Sequence, residues 1–499
     1  MTTLSRQDGK ILDEVGTERF RPQFHFTPRR NWMNDPNGLV YFENEYHLFF
    51  QYNPLGSYWG NICWGHAVSP DLLQWRELPV AIAQTDQMIF SGSVVADRHN
   101  DSGLGDGETP PLLAFFTAFD PQRAIQSQHL AFSHDRGRTF THYAGNPIID
   151  LNMADFRDPK VFYHQESASW VMVVARARDH VVQFYRSTTL RDWALAGEFG
   201  PAGSVSGQWE CPDLIRMPVE GNPGRCCWVL KIDVDAGFAD DGSGAQYFVG
   251  EFDGYNFATN PELGPPGGEF VDFGPDFYAA VTWSDLPATQ PDPVWVGWQS
   301  NHQTGKDYPT DPWRGAMSMP RALFLFEEGG RLRLGQKPVD GVARLRIDRT
   351  GIASRVLNPG EHVTLAARNG AFEQHLAMTA YDAATVAVTI ADGEGTLLSV
   401  TVDFADRQIT FARHPSPLCP LETFARAMTT SLPNAAHVSL RIFFDGSLIE
   451  IFVDGGQRVY SGCIFPGGAT TLEIRSEADK TQLDACESWT LAGTIDFSA

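Results

Sequence analysis

No run of ~18 consecutive apolar residues occurs anywhere in the chain, which excludes a membrane-spanning helix. Basic charge is also scarce: 38 Lys and Arg stand against 61 Asp and Glu, a net charge of −23. That balance argues against nucleic acid or an anionic membrane as partner, and it gives no steering to a neutral substrate. Cysteine is thin. Its seven copies, at 63, 211, 226, 227, 419, 463 and 486, are odd in number and form no C-x-x-C pair. Neither a zinc site nor a disulfide framework is signalled, and reduced thiols are the simpler expectation. The first residues, Met1 to Asp8, lack the apolar core of a signal peptide. A cytoplasmic protein is therefore expected, or a secreted one if a leader has been removed. Amphipathic helical periodicity is nearly missing too. Its best candidate is the short stretch Leu421 to Met428.

What is abundant is aromatic side chains, 12% of the chain with 13 Trp and 34 Phe, and short alternating or apolar runs broken by Gly, Pro, Asn and Asp. Such a texture predicts an all-β protein. Leu39 to Phe42 and Tyr46 to Phe50 read as a hairpin across Glu43-Asn44-Glu45, and Trp170 to Val174 with Val181 to Tyr185 as another. Gln246 to Gly250 and Val294 to Trp298 continue the pattern. Repeated antiparallel units over such a length fit a β-propeller. Near Gln336 to Ile347 tryptophan thins out, and beyond it Val386 to Ile390, Leu397 to Val402 and Val438 to Val453 alternate cleanly. Asp445-Gly446 and Asp454-Gly455 supply hairpin turns, so a β-sandwich is expected there. The division reads as an N-terminal extension 1–20, a catalytic propeller 21–337, a linker 338–347 and a sandwich 348–499.

The chemistry candidates lie in the first of these domains. In Trp32-Met33-Asn34-Asp35-Pro36-Asn37-Gly38 one carboxylate stands between amides and against a proline. Taken alone this could be a hairpin turn, since these are the usual turn residues. The grammar returns, however, in Phe156-Arg157-Asp158-Pro159 and in Trp209-Glu210-Cys211-Pro212-Asp213. A residue before proline is pushed toward an extended backbone, so Asp35 and Asp158 are expected at the starts of strands. In a propeller the first strand of each blade lines the axis, and carboxylates there would converge at one funnel mouth. Glycosidic cleavage needs such convergence: an ionised carboxylate attacks the anomeric carbon while a protonated one supplies the leaving oxygen with its proton. A retaining reaction places the two ~5–5.5 Å apart.

These three motifs resemble the signatures of glycoside hydrolase family 32, which holds the invertases, exo-inulinases and levanases. The likeness continues through Phe49 to Pro54, Trp59 to Ala67, Phe90 to Ser93, Asp276 to Ala280, Pro312 to Ser318 and, in the sandwich, Ile449 to Val453. The resemblance implies a five-bladed propeller followed by a sandwich. It implies Asp35 as nucleophile, Glu210 as general acid and then base, and Asp158 as the group that holds the fructosyl hydroxyls. Arg157 would keep a neighbouring carboxylate ionised. Asn34 and Gln51 would be hydroxyl-binding amides, Ser91 a hydrogen-bond donor, and Trp59, Phe90 and Trp298 apolar walls. For a tryptophan in a β-rich protein, core packing is the competing reading, and it weighs equally for Trp298 and Trp313. Cys211 reads as a tuning group or an inert buried thiol, Asp213 and Asp276 as supporting groups, and His66 as a satisfied buried histidine.

One departure stands out. Where the fructan-hydrolysing members carry a tryptophan after Ser-Asn, this chain has His302 after Ser300-Asn301. If it lines the pocket, leaving-group preference would differ. The expected activity is release of fructose from the non-reducing end of levan, inulin, fructo-oligosaccharides or sucrose, with no metal or organic cofactor and as a monomer or homodimer. The alternatives are an invertase acting mainly on sucrose, a transfructosylating enzyme, a non-catalytic fructan-binding protein, which would be expected to have lost an acid, and an arabinan- or xylan-active hydrolase, which would lack the Asn-Asp-Pro-Asn-Gly context.

Overall fold

A computed structural model describes residues 18–238, 242–368, 370–381 and 384–495. The turn-broken runs of its first part form antiparallel meanders, and their pairing resolves into five units. The first strands of these units are Asn31–Phe42, Met88–Ala96, Phe156–His164, Trp209–Val219 and Tyr278–Thr282. Each of these strands touches the next, and the last touches the first, so they close a ring around one axis. The ring is sealed where the chain returns: Asn31 and Trp32 pair in parallel with Trp313 and Arg314. A single parallel pair, Val219 with Leu325, joins the fourth and fifth units into one sheet. Each blade is covered on both faces by its neighbours. That explains why strands such as Ser169–Arg176 read as nearly unbroken apolar runs rather than as clean alternation.

The innermost strands share a second feature. Each loses register with its neighbour near one end: between Met33 and Pro36, Ile89 and Gly92, Arg157 and Lys160, Glu210 and Asp213, and Tyr278 and Val281. These are β-bulges, which twist a strand and re-aim its side chains. Pro159 and Pro212 fall inside two of them, where a residue without an N–H costs no ladder bond. Gly92 follows another for a steric reason, since a Cβ there would lie 1.9 Å from the Phe115 carbonyl oxygen. The extended backbone expected at Asp158 is not what forms. Its φ is 67°, and Cys211, also before a proline, has φ 45°. The bulge overrides the preference set by proline, and Asp tolerates the left-handed region because its short polar side chain bonds locally.

Beyond the last propeller strand, Arg331–Pro338, a 3₁₀ turn at Asp340–Leu345 leads to Arg346–Ile352, the first strand of a two-sheet sandwich. The helix expected over Leu421 to Met428 does not form. One 3₁₀ turn at Glu422–Phe424 gives way to the strand Arg426–Ser431, which pairs with Gln408–Arg413. Eight residues are too few to nucleate a helix unaided, and Thr429 and Thr430 favour the pleated edge that Gln408–Arg413 offers.

Buried charge stitches sandwich to propeller. Arg321 donates from Nε to Glu450 Oε2 at 2.8 Å and from Nη1 to Asp272 Oδ2 at 2.9 Å. His25 bridges Asp445 and Glu450 at 2.9 and 2.8 Å. The Asp445-Gly446 hairpin turn thus has a second task, because Asp445 also accepts the backbone N–H groups of Gln23, Phe24 and His25. Among the described residues no helix is long and apolar enough to cross a membrane.

Candidate active site

The bulged ends of the innermost strands face one cavity of about 580 Å³. All ten residues expected from the sequence line it: Asn34, Asp35, Gln51, Trp59, Phe90, Ser91, Arg157, Asp158, Glu210 and Trp298. Asp35 sits in the first bulge among neutral donors. Ser91 Oγ donates to its Oδ2 at 2.5 Å and Asn34 Nδ2 to its Oδ1 at 3.0 Å. These donors are themselves held, since Gln51 Nε2 donates to Ser91 Oγ at 2.6 Å and Trp32 Nε1 to Asn34 Oδ1 at 2.7 Å.

Glu210 has a different setting. Arg157 Nε donates to its Oε1 at 2.9 Å, Tyr278 Oη donates to its Oε2 at 2.6 Å, and His302 Nε2 stands 3.9 Å from Oε2. Arg157 is anchored in turn on Gln208 and Gln126 at 2.9 and 3.2 Å. Asp158 accepts the Cys211 backbone N–H at 2.9 Å, and its own N–H is held by Thr117 Oγ1 at 2.9 Å. Cys211 Sγ lies 3.7 Å from both Asp35 Oδ2 and Asp158 Oδ2. Two of the three carboxylates therefore flank one sulfur. Burial pushes that thiol well above its ordinary range, so it stays neutral.

The three acids divide their charge unequally. Burial, then the charge of Glu210, pushes Asp35 up against the pull of its Ser91 bond. Asp158 is raised to about 7 by burial and by Glu210. Glu210 is buried as well, yet Arg157, followed by His302 and Tyr278, holds it below its usual range. Like charges this close titrate as a set, with fewer than three negative charges near neutrality.

The walls are aromatic. Trp59 is 51% exposed and meets Phe90 edge-on at 6.1 Å, and Phe90 stacks on Phe119 at 5.2 Å. Trp298 lines the cavity but is almost wholly buried, being 2% exposed. Trp313 does not reach it and packs beside Phe20 and Tyr308 instead. His302 does line the cavity. Asp213 and Asp276 are supports: Asp213 Oδ2 accepts the Thr282 N–H at 2.7 Å, and Asp276 bonds Asn301. His66 meets His47 at 3.0 Å in the core.

Tyr278, Gln126, Gln208 and Phe119 also belong to the site but were not expected there. Tyr278 stands in a stretch already singled out, Asp276 to Ala280, yet nothing in an isolated tyrosine shows that it reaches Glu210. Gln126 lies on Ile125–Ser133, the third strand of its blade, and only tertiary packing brings it to Arg157.

A second cavity, about 660 Å³, lies at the other ends of the same strands, with Lys160, Asp213 and Trp228 in its lining. It shares no lining residue with the first. Among the described residues no group of three or more His, Cys, Asp or Glu is placed to hold a metal ion.

Comparison with known proteins agrees with this geometry. The profile "Glycosyl hydrolases family 32 N-terminal domain" matches residues 25–338, and the profile for the family's C-terminal domain matches 345–490. The chain is 43% identical to a levanase of Bacillus subtilis over 90% of its own length and 67% of that protein's. It is 39% identical to the extracellular exo-inulinase of Aspergillus awamori, over 92% and 94%. A crystal structure of exo-inulinase from Aspergillus awamori superposes with a TM-score of 0.88 at 37% identity, covering 96% of this chain and 99% of that one. The chain belongs to glycosyl hydrolase family 32, and it is a glycosidase with the β-propeller and β-sandwich architecture of that family.

Proposed function

We propose that the funnel binds the terminal β-D-fructofuranosyl unit of a fructan, a fructo-oligosaccharide or sucrose and releases it with retention. The observation that carries this reading is the unequal setting of two carboxylates at the floor of one cavity. Asp35 has only neutral donors around it, whereas Glu210 is clamped between Arg157 and Tyr278. The cavity of about 580 Å³ suits a single ligand.

In the first step an oxygen of Asp35 attacks the anomeric carbon, the bond to the leaving oxygen breaks, and that oxygen takes the proton of Glu210. In the second, water gives a proton to Glu210 as its oxygen displaces Asp35 from the anomeric carbon. Within the protein alone the shared proton favours the aspartates, because Arg157 holds Glu210 ionised. The fructosyl ring reverses that order. Its hydroxyls donate to Asp158 and favour the charged aspartates, while the glycosidic oxygen offers Glu210 an acceptor. Substrate thus assembles the reactive protonation state, with Asp158 holding the ring. Asn34, Gln51 and Ser91 supply amide and hydroxyl contacts, and Trp59 and Phe90 cover the apolar side. The Aspergillus relative is named an extracellular enzyme, which weighs against the cytoplasmic expectation.

Early-time NMR of the released sugar tests the stereochemistry: β-fructofuranose must appear before its equilibrium anomers. Asp35→Asn and Glu210→Gln should each lower kcat on sucrose and on levan by about 10²–10⁴-fold or more. If both variants keep wild-type turnover, the assignment of these two carboxylates is wrong.

A further inference from the structure

The loop 301–308 forms one wall of the funnel through Asn301, His302 and Lys306. His302 brings this wall to within 3.9 Å of Glu210 Oε2. On the reading above, Glu210 protonates the departing oxygen, so whatever departs must pass this loop. His302 is presented there with its side chain 41% exposed, edge-on to Tyr278 at 4.6 Å and to Trp298 at 5.6 Å.

The propeller holds part of this loop, since Ser243 Oγ accepts the His302 N–H at 3.2 Å, and the other domain adds a second grip. Asp276, fully buried, divides its two oxygens between the domains. Its Oδ1 accepts from Asn301 Nδ2 and Tyr308 Oη, each at 2.5 Å. Its Oδ2 accepts from Nη1 of Arg413 and from the Cys463 N–H at 2.8 Å, and both of these belong to the sandwich. Arg413 is itself immobilised, its Nε donating to the Phe424 carbonyl at 2.8 Å and its guanidinium lying 3.8 Å from the Phe424 ring centre. At the far side of the relay Asn301 Oδ1 accepts the Thr304 and Gln303 N–H groups at 2.7 and 2.9 Å. One carboxylate therefore ties the sandwich arginine to the side chain that shapes the turn. Removing the arginine leaves a buried charge whose cheapest relief is to let water or the loop move.

We propose that Arg413 is a positioning residue for leaving-group recognition, acting through Asp276 and Asn301 on His302 and Lys306. The sandwich would then take part in specificity as well as in stability. The proposal rests on reading the cavity as a fructoside site.

The test is the ratio of kcat/KM on sucrose to that on 1-kestose, which share the fructosyl unit and differ in what leaves. Arg413→Gln should change this ratio by about two- to tenfold, the scale of one lost or displaced hydrogen bond, and Arg413→Lys should restore part of it. Asn301→Ala cuts the same relay while sparing the buried ion pair, so it covers the case in which Arg413→Gln does not fold. It should move the ratio in the same direction. The double variant should move it less than the product of the two single effects. Arg458→Met serves as control, since Arg458 joins the sandwich to Glu328 at 2.8 Å and lines no part of the funnel. It should lower the melting temperature and leave the ratio unchanged. An unchanged ratio in Asn301→Ala, or a shift as large in Arg458→Met, overturns the coupling. A wild-type protein that turns over neither sugar refutes the fructoside reading, and the proposal with it.

Discussion

Replacing Ser91 by alanine removes the shortest hydrogen bond to Asp35, 2.5 Å from Oγ to Oδ2. Its effect follows from the charge that bond supports. Burial already raises the Asp35 carboxyl and the Ser91 bond opposes that rise, so without it the group is harder to ionise. A hydrogen bond to a charged group contributes about 1.5–3 kcal/mol, and ~1.4 kcal/mol corresponds to one pH unit. The acid limb of kcat/KM should therefore move to higher pH by about one to two units. Gln51 Nε2, which donates to Ser91 Oγ at 2.6 Å, can turn toward the carboxylate, and that favours the lower figure. The sign is firm: a nucleophile must be ionised, and the variant makes ionisation less favourable. Below the shifted limb the variant should be about 10- to 100-fold slower. Well above it, where Asp35 is charged in both proteins, the two rates should converge. Initial rates on sucrose from pH 4 to 8 measure this directly. A variant-to-wild-type ratio that stays flat, or that falls as pH rises, would refute the argument.

Two further outcomes follow from the same structure. Trp59→Ala removes a half-exposed ring that can cover a sugar face, so KM on sucrose should rise roughly five- to thirtyfold from about 1–2 kcal/mol of lost apolar contact; a fall confined to kcat would count against it. His25, buried between Asp445 and Glu450, has its pKa raised from 6.5 to about 9. A histidine raised in the folded state stabilises fully below the unfolded value and loses that contribution as pH climbs through about 9, a difference of about 3 kcal/mol. Urea unfolding at pH 6.5 and pH 9.5 should show the loss, and equal or greater stability at the higher pH would contradict it.

Much of the site was legible because its residues sit in short motifs whose chemistry is local. Asp35 and Asp158 were found directly before prolines and Glu210 two residues before one, in a chain otherwise cut into strands. The rule that led to them misjudged the backbone. Proline was read as forcing an extended Asp158, whereas the proline is there because the strand bulges and its ladder bond is already lost. The expected helix at Leu421 to Met428 failed for a related reason. A stretch of eight residues carries too weak a period to compete with an open sheet edge supplied from elsewhere in the chain. Tyr278 and Gln126 were missed because a lone tyrosine or glutamine has no local signature. Their roles exist only across blades.

The sequence by itself determined the all-β class, the change of texture near residue 340, the three acids with their supporting amides and aromatics, and the family to which they belong. Each of these is written in residue type and short-range spacing, where turn chemistry and apolar period act over a few positions. Only the tertiary structure decided which acid is held charged. That depends on Arg157 and Tyr278, from different blades, reaching one carboxylate. It alone decided, too, that a buried arginine of the sandwich, 137 residues from Asp276 along the chain, reaches the carboxylate that bonds Asn301, the neighbour of His302. Electrostatics and packing act through space, and no local pattern records which distant side chains they will join.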